Sequence, residues 1–397
     1  GLIRPQSIEE NIALANLKRL TRGLFVDAAK VAANVGKDDK ADLTGAGATF
    51  PAPLYQAWFQ DYNKVAAGVK VNYQAVGSGG GIQQYTEKTV DFGATDLAMT
   101  DAELAKAADT QHIPTALGSV VITYNLDGVT SALKFDGDTV AKIWLGKITK
   151  WNDPAIAADN PGVPLPAIPV KPVIRSDGSG TSAQFTAYMA SESPGVWQAF
   201  CQKVGLGGGC RPTSLYPEFD GSTAQQFSDG VAAYVAAPYN NGAITYVEYG
   251  YAKQRGFPVA SILNAAGYYA QPTPQAVAIA LQGATLNPDR TQVLTGVYRN
   301  GDPRAYPVSS YSYMIVPTTT DKPFSTDKGD VLGKFILYFL CAGQQKAAQL
   351  GYSPLPKNLV QVAFDAVTQI PGAPAPPPID SCANPTITGQ FITGQAP

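Results

Sequence analysis

Three glycine- and hydroxyl-rich turns hold the residues of this chain best suited to bind an anion. The first is Thr44-Gly45-Ala46-Gly47-Ala48-Thr49-Phe50, which opens onto a helix beginning near Pro53. The second is Gly77-Ser78-Gly79-Gly80-Gly81, ahead of a helix with Gln83 and Gln84. The third is Arg175-Ser176-Asp177-Gly178-Ser179-Gly180-Thr181-Ser182, ahead of a helix with Phe185. Each follows a stretch that reads as a strand. A helix N-terminus presents unpaired N–H groups and a partial positive charge, so three such turns brought together would cradle an anion. Hydroxyls at Thr49, Ser78, Ser179 and Thr181 add donors. Arg175 adds a fixed positive charge whose fork can hold two oxygens at once.

Taken singly, a Gly/Ser turn before a helix is usually only a cap. Other chemistries fit these turns poorly. Phe50 stands where the third glycine of a GxGxxG turn belongs, and no turn supplies the lysine of GxxxxGK[ST]. Neither Ser78 nor Ser179 has the flanking spacing of a GxSxG nucleophile. The chain has one histidine, His112, on which any Ser-His-Asp arrangement would rest, and its surroundings read as a loop entering a strand. Catalysis is not indicated. Lysine plus arginine total 29 against 31 acidic residues, a formal charge of −2, so no broad positive field draws nucleic acid. An anion must be held by local donors.

The four cysteines, Cys201, Cys210, Cys341 and Cys382, form no CxxC pair, and with a single histidine they make a poor zinc set. Two disulfides in an oxidising compartment are expected, paired locally as Cys201–Cys210 and Cys341–Cys382, with four buried thiols as the alternative. No run approaches the roughly 18–20 apolar residues of a membrane span. The start, Gly1-Leu2-Ile3-Arg4-Pro5, lacks a signal-peptide pattern and a nearby cysteine for a lipid. The expectation is an exported protein whose signal was removed or never present.

The elements that must position these turns alternate. Residues 1–40 stand apart, with a Ser7–Glu10 capping box and helical spacing of Ile8, Ile12, Ala15 and Leu20. They read as one or two helices packed on the body or docking a partner. Strands are expected at Asp42–Ala46, 69–73, Phe92–Ala94, Ser119–Tyr124, Val170–Arg175 and Ser312–Val316. Helices are expected at Thr139–Leu145, Thr181–Ser191, Ala224–Ala236, Gln275–Gln282, Val331–Leu340, Gln344–Leu350 and Lys357–Gln369. This alternation predicts α/β layers with mostly parallel sheets. Pro371–Pro378, PGAPAPPP, reads as a stiff spacer. The tail beyond it is either stapled back through Cys382 or a free linker.

In order along the chain, LTGAGATFPAPLYQAW, VNYQAVGSGGGIQQ, TVDFGATDLAM, LGKITKWNDPAI, RSDGSGTSAQFTAY and GAITYVEYGYAKQ resemble the periplasmic phosphate-binding protein of the ABC-type phosphate importer. The resemblance runs from about residue 41 to about 369 and omits both ends. It implies a type II periplasmic-binding-protein fold of two α/β lobes joined by two crossover strands. Lobe I would comprise 41–116 and 306–370, lobe II 117–305, with 371–397 a tail. It further implies phosphate held in the cleft and a membrane permease as partner. Thr49, Phe50 and Ser78 would bind from lobe I, and Asp96 would accept a hydrogen bond from a protonated phosphate oxygen. Arg175, Ser179, Gly180 and Thr181 would close from lobe II, with Asp177 holding the Arg175 fork. No cofactor is expected. Two rival readings remain: a structural or surface-assembly relative of the fold, self-associating through residues 1–40 or the tail, and a phosphatase.

Overall fold

The computed structural model describes residues 39, 41–206, 209–391 and 393. The helices expected within residues 1–40 lie outside the described residues. Short apolar runs and amphipathic helices alternate, and beside a small three-stranded and a two-stranded sheet, eight strands join one large sheet. Its strands are β1 (Asp42–Gly47), β2 (Lys70–Ala75), β3 (Phe92–Thr95), β4 (Thr110–Tyr124), β5 (Lys171–Arg175), β6 (Thr223–Gln225), β7 (Ala243–Glu248) and β8 (Ser309–Pro317). Their order is β2-β1-β3-β8-β4-β7-β5-β6.

The expectation of a mostly parallel sheet holds for four of its seven strand pairings and fails at the centre. Parallel pairing is confined to the two wings, β2-β1-β3 and β7-β5-β6. At the centre, β8 runs antiparallel to β3 and β4, and β4 antiparallel to β7. The cause is topological. β4 carries the chain from the first wing to the second and β8 carries it back, so the two run in opposite directions. The far end of β4, from Val120 onward, pairs with β7, while the Tyr313–Ile315 end of β8 pairs with β3. These strands belong to both halves, as a two-lobe binding-protein fold requires. Every residue of β8 is buried, which fits a strand covered on both faces.

Most helices fall near where the sequence places them: α1 (Ala52–Val65), α2 (Gly77–Thr86), α3 (Gly180–Glu192), α4 (Phe227–Ala236), α6 (Thr326–Leu340) and α7 (Lys357–Val367), while α5 (Tyr249–Arg255) is a helix the sequence reading did not pick out. Two expectations fail locally. Ala224–Ala236 is strand β6 followed by α4, because Phe227 turns at a φ of 62°, a left-handed conformation that breaks one element from the next. Gln344–Leu350 is two short 3₁₀ turns rather than a helix.

Both disulfides pair as expected, Cys201 with Cys210 and Cys341 with Cys382. The proline-rich segment is not a free spacer. It lies against α6, where Gly329 and Gly333 clear the surface, and a Cβ on Gly333 would sit 2.5 Å from Ala373 Cβ. Beyond the second disulfide, Asn384 donates to Leu340 O and Leu355 O at 3.1 Å. The described tail is therefore folded onto its own chain.

Candidate functional site

The three turns meet where the two wings face each other. The first links β1 to α1. The second opens α2, and Gly81 packs so closely that a Cβ there would come within 2.7 Å of Ala46 O and 2.9 Å of Ala94 O. The third links β5 to α3. Across the gap Gly79 N donates to Gly178 O at 2.9 Å, and Gln184 Nε2 donates to Asp96 O at 2.8 Å. Thr49 Oγ1 and Ser228 Oγ share a hydrogen bond at 2.6 Å. The lobes are closed on each other. Thr49, Phe50, Ser78, Asp96, Arg175, Ser179, Gly180 and Thr181 are all buried.

Arg175 ends β5, itself 2% exposed. Its Nε donates to Asp177 Oδ1 at 2.7 Å, its Nη2 to Asp177 Oδ2 at 2.5 Å, and its Nη1 to Ser228 Oγ at 3.2 Å. A guanidinium has five N–H donors, so one on each Nη is left for an outside acceptor. Asp177 is fixed in turn by the Phe227 amide, 2.9 Å from Oδ1, which the left-handed turn at Phe227 delivers.

Ser179 caps α3, its Oγ accepting from Ser182 N at 3.1 Å. Gly180 and Thr181 supply the helix's first two amides, whose N–H groups have no partner within the helix. Thr181 Oγ1 is buried without any hydrogen-bond partner. Such an atom in a folded interior calls for an external partner. On the facing lobe, Ser78 occupies the first turn of α2, and Phe50 leads into α1.

Asp96 follows β3. Oδ1 accepts from Ser312 Oγ at 2.8 Å, while Oδ2 has only a long contact, 3.4 Å, from Ser78 Oγ. Burial pushes this carboxyl up to about 7, although the Ser312 hydrogen bond, the Arg175 charge and Ser78 pull the other way. The site thus combines a cation, free amides and an orphan hydroxyl with one carboxyl that changes charge near neutrality. It suits an anion that still carries a proton.

The chain matches the family model described as a PBP superfamily domain over residues 29–342. It is 39% identical over 322 residues to the phosphate-binding protein PstS of Xylella fastidiosa, covering 80% of this chain and 83% of that one. With the Pasteurella multocida protein of the same name it shares 38% identity over 321 residues, covering 80% and 88%. The chain belongs to the PstS family of phosphate-binding proteins. A human phosphate-binding apolipoprotein has the same fold, with a TM-score of 0.64 at 20% identity over 85% of this chain and all of that one. As a PstS-family member the protein is a substrate-binding component rather than an enzyme.

The sequence singled out all eight gathered residues and Asp177. It missed Ser228, Ser312, Gln184, Tyr251 and Tyr352, which hold them in place. His112 is structural: it lies within β4, and Nε2 accepts from Met99 N at 3.1 Å. Burial lowers it to about 4, which keeps the ring neutral.

Proposed function

We propose that the protein binds inorganic phosphate between lobe I, residues 41–116 and 306–370, and lobe II, residues 117–305, and delivers it to the membrane permease of an ABC-type importer. The observation that carries this reading is the donor set around one spot: two spare Arg175 N–H groups, the Gly180 and Thr181 amides and the unpartnered Thr181 hydroxyl, opposite Asp96. Thr49, Phe50 and Ser78 contribute from lobe I, and Ser179 shapes the helix start in lobe II. Because the contacts come from both lobes, the anion stabilises the closed form over an open one. The place of action is the periplasm or the cell surface, where the two disulfides persist. No described helix is long and apolar enough to cross a membrane. Self-assembly through the tail gains nothing from the geometry, since the described tail is spent on contacts with its own chain.

Isothermal titration of phosphate-stripped protein tests this reading. Phosphate should bind tightly at one site per chain, with no heat from sulfate near neutral pH. A folded, ligand-free sample that takes up neither anion would overturn it.

Gly180 offers a second test. A Cβ there would lie 2.6 Å from both Ser78 Oγ and Asp96 Cβ, so the facing lobes close only on a glycine. The position itself is helical, and alanine suits it locally. Gly180→Ala should therefore weaken phosphate binding by roughly tenfold to a hundredfold, about 1–3 kcal/mol of overpacking. The melting temperature of the phosphate-free protein should barely change. An unchanged affinity would show that closure does not need this approach.

A further inference from the structure

Behind the Thr49–Phe50 turn lies a buried relay that the phosphate reading does not use. Tyr251 Oη, on α5, donates to Thr49 O at 2.7 Å. Tyr352 Oη, ahead of α7, lies 2.6 Å from Phe50 O and 2.8 Å from Glu248 Oε2. Glu248 ends β7, is 0% exposed, and accepts from Gly250 N at 2.8–2.9 Å.

Proton counting decides the state of this relay. A tyrosine hydroxyl has one hydrogen, and two oxygens stand at donor distance from it. Phe50 O is a carbonyl and can only accept, so the hydroxyl hydrogen belongs there, at the shorter contact. The Tyr352–Glu248 contact then needs a hydrogen of its own, and the carboxyl must supply it. Burial is the largest influence on Glu248 and holds it well above the ordinary carboxylate range. The Asp96 charge, beyond β3, pushes the same way, while the Gly250 amide, the Tyr352 hydroxyl and the Tyr249 amide, acting as donors, pull against it without overcoming burial. Tyr251, on α5, is in turn pushed up by burial and by the Glu248 charge.

We propose that Glu248 is an un-ionised carboxylic acid that donates to Tyr352, and that with Tyr251 it positions the Thr49–Phe50 turn for the anion. Three groups clamp that turn. Ser228 holds the Thr49 side chain, Tyr251 the Thr49 carbonyl and Tyr352 the Phe50 carbonyl. The Thr49 carbonyl shares its peptide unit with the Phe50 N–H. A hydroxyl on that oxygen draws electron density from the amide and makes the N–H a stronger donor. Glu248 and Tyr251 are positioning residues: they touch the turn or Tyr352, not the anion. This inference rests on the phosphate reading only for its affinity consequences; the protonation state stands apart from it.

Infrared spectroscopy of the phosphate-free protein at mildly alkaline pH tests the protonation state directly. A carboxylic-acid carbonyl band should be present in the wild type and missing in Glu248→Gln. Absence of that band in wild-type protein would overturn the proposal even if phosphate binds as expected. Titration with phosphate supplies the second arm. Glu248→Leu and Tyr352→Phe should each bind about tenfold more weakly. Glu248→Gln, whose amide can both donate to Tyr352 and accept from Gly250, should recover most of the loss. Its pH profile should keep the wild-type inflection, because a neutral group has replaced a neutral group. An inflection moved to lower pH, as expected when an anion near Asp96 is removed, would overturn the proposal.

Discussion

Arg175→Ala is expected to weaken phosphate binding about a thousandfold, on the order of 3–5 kcal/mol. Two penalties act together. The anion loses the one charged donor that the described residues place in its cradle, and Asp177 loses the guanidinium that held both of its oxygens. Asp177 then keeps the Phe227 amide and presents unbalanced negative charge to the incoming phosphate. Removing that charge as well should restore part of the affinity, so Arg175→Ala with Asp177→Asn should bind better than Arg175→Ala alone. Arg175→Lys should fall between the wild type and alanine. It keeps the charge but cannot reproduce the fork on Asp177 while also reaching Ser228 and the anion. Titration calorimetry measures the series, with thermal unfolding of the phosphate-free variants as a check on folding. A folded Arg175→Ala protein that binds within tenfold of wild type would remove Arg175 from the site.

Most of the residues that touch the anion in this reading were legible because their signals are local; Phe50 and Asp96 were picked out only by the family resemblance. Glycine and hydroxyl residues just ahead of a helix announce an amide-lined turn, and an arginine at a strand's end beside such a turn announces charge. The residues that brace them announce nothing. Ser312 is one serine of a fully buried strand, and it meets Asp96 only because β8 pairs antiparallel with β3. Ser228 reads as the interior of a helix until the turn at Phe227 makes it part of the first turn of α4. Tyr251 and Tyr352 lie roughly 200 and 300 residues from the carbonyls they serve, as the sequence separations of 202 and 302 show. The antiparallel centre of the sheet was hidden for the same reason. Alternation of strands and helices reports local order, whereas the direction of β4 and β8 follows from the chain crossing between lobes and returning.

Asp96→Asn should separate phosphate affinity from phosphate selectivity. Phosphate near neutral pH keeps a proton and sulfate does not, so an ionised Asp96 can accept from the first and repels the second. Oδ2, which carries only the long Ser78 contact and lies against Gly180, is the oxygen placed to do so. Asparagine removes the charge and can donate to a bare oxygen. Phosphate binding should weaken by about tenfold, while sulfate at mildly alkaline pH should gain at least about tenfold, roughly 1.4 kcal/mol. The wild type should show a milder version of this change in acid. As pH falls below about 7 its own carboxyl takes up a proton, and the barrier to sulfate should drop. Stability carries the same signature. The folded protein binds this proton more tightly than the unfolded chain does. The stabilising contribution is therefore complete below the ordinary carboxylate range and is lost as pH rises through about 7. A side chain that never ionises escapes that loss, so phosphate-free Asp96→Asn should melt above the wild type in mildly alkaline buffer and close to it in acid. If the variant rejected sulfate as firmly as the wild type at alkaline pH, the discrimination would have to come from the amides and hydroxyls alone, and Asp96 would be an ordinary buried acid.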